Sequence, residues 1–318
     1  VAATPLAAGG ASGAETWLIR HAGRAFVLKN FVGTGGRRHA VWVHALMRHV
    51  RDAGVWQVPA VMAAPDGATL QPDADGRLWE LLERMPGAAT RAPTPTQVAA
   101  AAESLARVHV AAASLPGESP RRDHSAGLLH RIERARDLLV RPWSARDASG
   151  APSDLRARLA QAAAIFGAAG GTEATAWLAG MRSRPLALQP VLRDVWNDHV
   201  LFVDEAVTGL IDWHAAGIDT PATDIARLLG SWPDEPPLER SFLDAYRSVR
   251  HLEIEEVELI PVLRCAGVVF GIDNWFRWMI DERRSFADRE KVLYRIDVLL
   301  DALPSALQKL RGGGSSHD

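Results

Sequence analysis

Cysteine is nearly absent from this 318-residue chain, where Cys265 stands alone. An intramolecular disulfide and a cysteine-based zinc cluster are both excluded, and nothing points to an oxidising compartment. Long apolar runs are also missing. The best candidate for a membrane span, 262–280, is broken by Arg264, Asp273 and Arg277. It falls short of the ~18 uninterrupted apolar residues a span calls for. The first fourteen residues are small, without the basic and apolar regions of a secretory signal. Charge of one sign is lacking, since the net charge is −2. There is therefore no global basic field for nucleic acid or acidic lipid. No repeat of 20–50 residues is visible. With 47% hydrophobic and 23% charged residues, the chain reads as an enzyme-sized globular protein. A cytoplasmic location, with no membrane and no nucleic acid as partner, is the expectation.

Lysine is the other scarce residue. Only Lys29, Lys291 and Lys309 occur, against 33 arginines. Lys291 and Lys309 lie in a polar C-terminal region. Lys29 instead ends an apolar stretch, RAFVLK, where a compact ammonium has a use that arginine does not serve.

What is present divides into a strand-rich beginning and a helical remainder. ETWLIR (15–20) and RAFVLK (24–29) predict a hairpin. Residues 36–54 carry apolar side chains at helical spacing and stop at Gly54. Three further strands are expected over 59–87, between PDG and DADG turns. Helices are expected over 96–115, 127–141, 152–169, 237–250, 254–284 and 289–303. The domain expectation is an N-lobe over 1–85, a helical C-lobe over 86–311 and a disordered tail over 312–318.

Two constellations carry chemistry. Gly9, Gly10 and Gly13 precede the first hairpin. Glycines let backbone N–H groups approach a polyphosphate. A strand follows them rather than a helix, so neither the dinucleotide fingerprint nor the P-loop applies. A glycine loop on a hairpin followed by a strand ending in lysine is the kinase arrangement. The second constellation is VLRDVWNDHVLFVDEAVTGLIDWH, 191–214. VLFV and VTGLI read as a buried hairpin with Asp194 on its approach and Asp212 at its exit. Carboxylates beside a buried hairpin cost free energy unless something pairs with them. Phosphoryl transfer wants such a pair, one carboxylate near the accepting hydroxyl and one on a divalent metal.

At these residues the chain resembles the aminoglycoside phosphotransferase, choline and homoserine kinase superfamily. The residues that carry the resemblance are Leu192-Arg193-Asp194, His199, Ile211-Asp212-Trp213-His214 and Asp224-Ile225-Ala226-Arg227. The resemblance implies an α+β, protein-kinase-like fold with a small β-rich N-lobe and a larger helical C-lobe. It implies an ATP-dependent phosphotransferase acting on a hydroxyl of a small molecule. By resemblance, Asp194 is the catalytic base, Asp212 holds Mg²⁺ and Lys29 meets the α/β-phosphates. The backbone near Glu80 and Leu82 meets adenine. Asp224, with Arg193 and Asn197, supports the catalytic loop.

Four departures accompany the resemblance. The metal-binding asparagine five residues after the base is His199, which suits Mn²⁺ better than Mg²⁺. The small residue after the aromatic is His214. The leading histidine is Leu192. The helix glutamate that pairs the lysine is replaced at Val43, with His44 beside it. Three readings stay open: a Mn²⁺ enzyme with His199 as ligand, a one-metal enzyme using Asp212 alone, or a pseudokinase. A metallohydrolase built from Asp194, Asp198, His199, Asp212 and His214 is the competing class. Finally, Asp273, Trp275, Trp278 and Asp281 share a helix and suggest an acidic, aromatic wall for a cationic acceptor.

Overall fold

The computed structural model describes residues 1–6, 14–30, 36–119, 121–286 and 288–313. Gly9, Gly10 and Gly13 of the expected phosphate loop lie outside the described residues, as does 314–318 of the tail. The chain divides into two compact units, Val1–Arg121 with Ala187–Glu256, and Arg122–Leu186 with Val257–Asp318. Residues on both sides of position 85 thus share one unit.

The first unit begins with β1 (Ala2–Leu6), β2 (Thr16–His21), β3 (Arg24–Asn30), helix α1 (Gly36–Asp52), β4 (Gln71–Pro72) and β5 (Leu78–Glu83). The strands form one antiparallel sheet in the order β1-β2-β3-β5-β4. The β2–β3 turn places Ala22 and Gly23 at positive φ, the primed geometry that matches strand twist. β1 was not expected, and it is exposed throughout. The three strands expected over 59–87 reduce to β5, a two-residue β4 and a single bridge from Val61 to Leu82. Pro59, Pro65 and Pro72 remove ladder donors there. Asp73 also draws the backbone into a turn, accepting from the N–H groups of Asp75 and Arg77. Helix α1 buries Ala40, Val43, His44, Leu46, Met47 and Val50, one face at helical spacing. Its continuation ends at Gly54, whose φ is +93°.

Helix α2 (Pro95–Ala112) starts at a capping box made by Thr94 and Gln97. The chain then passes through β6 (Arg121–Asp123) into the second unit with α3 (Ala126–Val140), α4 (Ser153–Ala168) and α5 (Gly171–Gly180). It returns to the first unit with β7 (Leu186–Val191), β8 (Val200–Val203), β9 (Ala206–Leu210), β10 (Gly217–Asp219), α6 (Ala222–Leu229) and α7 (Pro236–Val249). β8 and β9 are the expected hairpin, paired from Val200↔Leu210 to Val203↔Ala206 around a turn at Asp204. α8 (Ile254–Phe276), a π-helical turn over Arg277–Asp281 and α9 (Arg289–Gly313) close the chain.

The second unit packs α3, α4, α5, α8 and α9 around Trp143, Phe270, Phe276, Ile296 and Leu307. The segment Ile254–Asp281 is long and apolar enough to cross a membrane by length and composition, but 67% of that window is buried inside the protein. Of the expected acidic wall, Asp273 and Trp275 are buried. Asp273 is buried and accepts from Arg134, from Arg146 Nη2 at 2.8 Å and from Trp143 Nε1 at 3.0 Å. Asp281 pairs with Arg146 at 2.8 Å. Trp275 meets Trp278 edge-on at 5.1 Å and Phe286 at 5.4 Å, as core packing. Both carboxylates are paired with arginines inside the unit.

Candidate active site

All the site residues discussed here belong to the first unit. The β8–β9 hairpin is the platform. Its ladder extends one step past β9, where Ile211 N–H donates to His199 O at 3.0 Å. Asp212 therefore emerges beside His199. Lys29, the last but one residue of β3, donates to Asp212 Oδ1 at 2.7 Å. Lys29 and Asp212 lie 183 positions apart in sequence, and the fold brings them together. Burial alone raises the Asp212 carboxyl, but the Lys29 ammonium that donates to it, with His199 and His214 nearby, outweighs burial and holds the group below its ordinary value.

His199 touches both aspartates. Its Nδ1–H donates to the backbone oxygen of Asp194 at 2.7 Å. A carbonyl can only accept, so the neutral ring carries its lone pair on Nε2. That nitrogen accepts the Trp196 indole N–H at 3.0 Å and stands 3.6 Å from Asp212 Oδ2. An imidazole with Nδ1–H on a carbonyl and Nε2 facing a carboxylate has the form of an oriented metal ligand. Asn197 is buried, and its Oδ1 has no hydrogen-bond partner, the one such side-chain atom among the described residues.

Asp194 is half exposed and accepts from Arg227 Nη2 at 2.6 Å. Arg227 lies three residues after Asp224 on α6. The pair divides the work on one loop. Asp224 is fully buried, and its oxygens accept from Leu192 N at 2.7 Å and Arg193 N at 2.6 Å. His109 Nε2–H donates to Asp224 Oδ2 at 3.0 Å, and His109 Nδ1 meets the Tyr246 hydroxyl at 2.7 Å. Burial pushes the Tyr246 phenol up, so its hydroxyl keeps its proton. Arg193 has φ +64° and Asp212 has φ +63°. Left-handed backbone costs such residues about 1–3 kcal/mol and persists only where neighbours impose it.

Glu80 and Leu82 require a correction. Both lie in β5, with β3 on one side and residues 60–62 on the other. Met62 N–H donates to Leu81 O and Glu83 N–H to Ala60 O, each at 2.9 Å. This backbone is spent inside the sheet and cannot serve adenine. The Glu80 side chain has another use. It is 1% exposed and accepts from His44 Nε2 at 2.6 Å and from His214 Nε2 at 2.5 Å. Burial works against the Glu80 charge, yet the two imidazoles hold its carboxyl down to about 2. Past the strand, Pro86–Ala88 docks on the hairpin. Ala88 and Phe202 exchange backbone bonds at 2.9 and 3.0 Å, and Thr208 Oγ1 donates to Pro86 O at 2.7 Å. Gly87, at φ +99°, is required there because a Cβ would fall 2.5 Å from Phe202 O.

Among the described residues, no group of three or more His, Cys, Asp or Glu side chains could hold a metal ion. His214 is committed to Glu80. The set expected for a metallohydrolase is therefore not gathered. Reasoning from sequence also missed Arg227, although its i, i+3 spacing from Asp224 was a usable signal. It missed the Glu80 bridge, for which no local signal existed.

Residues 3–257 match the model of the phosphotransferase enzyme family. A homoserine kinase of Acidiphilium cryptum is 30% identical over 251 residues, covering 75% of this chain and 70% of that protein. A homoserine kinase of Brucella anthropi is 27% identical over 284 residues, 86% and 78% of the two chains. Among solved structures, spectinomycin phosphotransferase bound to ADP and spectinomycin superposes with TM-score 0.70 at 13% identity, covering 96% of this chain and 93% of that one. The amicoumacin kinase hAmiN in complex with AMP-PNP superposes with TM-score 0.62 at 15% identity, over 95% and 88%. The chain belongs to the phosphotransferase enzyme family and is an ATP-dependent small-molecule phosphotransferase of α+β, protein-kinase-like fold.

Proposed function

We propose that Asp194 is the general base, that Lys29 meets the nucleotide phosphates while Asp212 holds the divalent metal on them, and that the acceptor is the hydroxyl of a hydroxy amino acid. The single observation that carries this reading is the Lys29–Asp212 ion pair at the open end of the hairpin, joined to the Asp194 loop through His199. Lys29 places its ammonium where phosphate charge would collect. The donor set fits a divalent ion that keeps water and phosphate oxygens among its ligands. Asp212 would hold it, and the Nε2 of His199 would join on releasing the Trp196 N–H that it accepts here, with the unpartnered Asn197 Oδ1 beside them in sequence. Such an ion supplies charge neutralisation at the transferring phosphoryl group. The imidazole favours Mn²⁺ as an alternative to Mg²⁺.

In the reaction, Asp194 takes the acceptor hydroxyl proton as the oxygen–phosphorus bond forms. The bond from the γ-phosphorus to the bridging oxygen breaks and ADP leaves. Asp194 then returns the proton to solvent. Arg227 now holds one oxygen of Asp194 and leaves the other for the acceptor. The stretch Arg84–Gly87 takes the place first given to Glu80 and Leu82 as the backbone beside adenine. Met85 forms a buried floor there, where it packs on Gly209. The homoserine kinase names of the relatives make L-homoserine the first acceptor to try. A cytoplasmic site of action belongs to this reading and rests on the composition alone.

The test is ADP release with ATP, Mg²⁺ or Mn²⁺, and L-homoserine, L-serine, choline and an aminoglycoside in turn. Acceptor-dependent ADP release by the wild type and its loss in Asp194→Asn support the assignment. ATP binding without release above background for L-homoserine and L-serine would overturn the hydroxy amino acid as acceptor.

A further inference from the structure

We propose that Glu80 and His44 are positioning residues for Asp212, forming a buried bridge that ties helix α1 to the metal-site loop. The inference deepens the proposed function, since it rests on Asp212 as metal ligand. In the family resemblance, a helix glutamate pairs the lysine, and this chain has none at that place. Helix α1 offers His44 there, and the carboxylate comes instead from β5. Glu80 lies directly opposite Lys29 in the β3–β5 register, so both side chains leave the same face of the sheet. Lys29 takes Asp212. Glu80 takes His214, two residues further on.

Four contacts build the tie between the loop and the helix. His44 Nε2–H donates to Glu80 Oε2 at 2.6 Å, and its Nδ1 meets Thr69 Oγ1 at 2.8 Å. His214 Nε2–H donates to the other Glu80 oxygen at 2.5 Å. His39, also on α1, donates to His214 O at 3.1 Å. Helix α1 thus holds both the side chain and the backbone of a residue two positions from Asp212. Asp212 itself has φ +63°, a conformation that its surroundings must enforce. A buried carboxylate gripping two imidazoles is a costly device for packing alone, because apolar side chains would fill the same volume. Its geometric return is the fixed direction of the Asp212 carboxylate. Groups that orient a metal ligand in this way typically change metal affinity by about 10–100-fold when removed.

The experiment measures the dissociation constant of ADP by calorimetry, with Mg²⁺, with Mn²⁺ and with EDTA, for the full chain. The ratio of the metal-free to the metal-loaded constant reads metal held at the site. Glu80→Ala, which removes both bridge contacts, is expected to lower that ratio roughly tenfold and to leave the constant in EDTA unchanged. His214→Ala cuts the same bridge from its half-buried end and is expected to do the same, which keeps the test open if Glu80→Ala does not fold. A bridge that only holds the fold together would weaken ADP binding equally with and without metal, or change neither, and either result overturns the inference. A ratio near one in the wild type, or one retained by Asp212→Ala, removes the metal assignment itself and the inference with it. A normal ratio in the wild type that both bridge variants keep removes the inference and leaves the assignment standing.

Discussion

Asp194 and Asp212 stand on two loops at the open end of one hairpin, and a different buried acid braces each loop. Asp224 braces the Asp194 loop by accepting two backbone N–H groups and one imidazole. Glu80 braces the Asp212 loop by accepting two imidazoles and no backbone group. The first brace holds the chain itself, whereas the second holds it through a side chain that can adjust. Imidazole can exchange donor and acceptor between its nitrogens, and a peptide N–H cannot. The two braces should therefore answer differently to the same chemical change, acid to amide.

The largest expected effect lies on what the braces hold in place. Replacing Asp194 with Asn keeps its shape and removes the proton acceptor. General-base catalysis is worth about 10²–10⁴-fold, so kcat should fall by roughly 10³ while ADP affinity stays at the wild-type value. Steady-state kinetics with calorimetry on the same variant check this. An unchanged kcat would mean that the Asp224-braced loop does not carry the base, and the comparison would lose its functional meaning.

Next in size is the contrast between Asp224→Asn and Glu80→Gln. An amide NH₂ at 224 must face a donor whichever way it is turned, because Oδ1 serves Arg193 N and Oδ2 serves Leu192 N. A buried donor facing a donor, together with the lost charge, should cost about 2–4 kcal/mol. At 80, the amide oxygen can take one imidazole N–H. Its NH₂ can donate to His44 Nε2 once that ring moves its proton to Nδ1, where Thr69 Oγ1 is ready to accept. The cost should stay near 1–2 kcal/mol. Urea unfolding of the two variants ranks them, and equal losses would dissolve the distinction between backbone and side-chain bracing.

The two braces also differ in how far the sequence revealed them. The Asp224 brace lies 31 and 32 positions from its backbone partners, inside a motif whose hairpin and following helix were legible from β-branched runs and helical spacing. The Glu80 brace joins residues 36 and 134 positions away, with no local pattern. Glu80 is placed beside adenine by the family resemblance alone, and nothing local in LWELLE marks its side chain as a brace. His44 and His214 stand in the sequence as departures from a pattern, and His214 also as a candidate metallohydrolase ligand. Two departures at unrelated places become one device once the fold sets them on the two oxygens of a single carboxylate. Lys29 was legible because scarcity marked it. Of the three strands expected over 59–87 only β5 forms at full length, because turn-forming aspartates and prolines outweigh local apolar content before it.

Acid should sharpen the contrast further. The two imidazoles hold the folded Glu80 carboxyl down to about 2, against 4.5 ordinarily. A group with a depressed folded value contributes stability that is fully present above the unfolded value and lost as pH falls toward the folded one. Unfolding free energies of the wild type should therefore decline between about pH 4.5 and about pH 3, with about 1–2 kcal/mol of that fall due to Glu80. Glu80→Gln should show a shallower decline over the same window, read as the difference between two urea-titration series. Parallel declines would mean that Glu80 keeps its charge no better folded than unfolded.

The smallest effect is expected at the contact that looks most like a third brace. Arg227 donates to Asp194 at 2.6 Å, shorter than some of the bonds to Asp224. Distance is a poor guide here, because both side chains are more than two-fifths exposed. Water competes for each partner, and exposed ion pairs of this kind contribute about 0–1 kcal/mol. Arg227→Ala should thus leave the urea midpoint nearly unchanged and act on turnover alone, through the carboxylate that it touches. A stability loss above about 2 kcal/mol would place Arg227 with Asp224 and Glu80 among the groups that hold the loops. Burial would then no longer separate residues that hold the aspartates from those that face the acceptor with them.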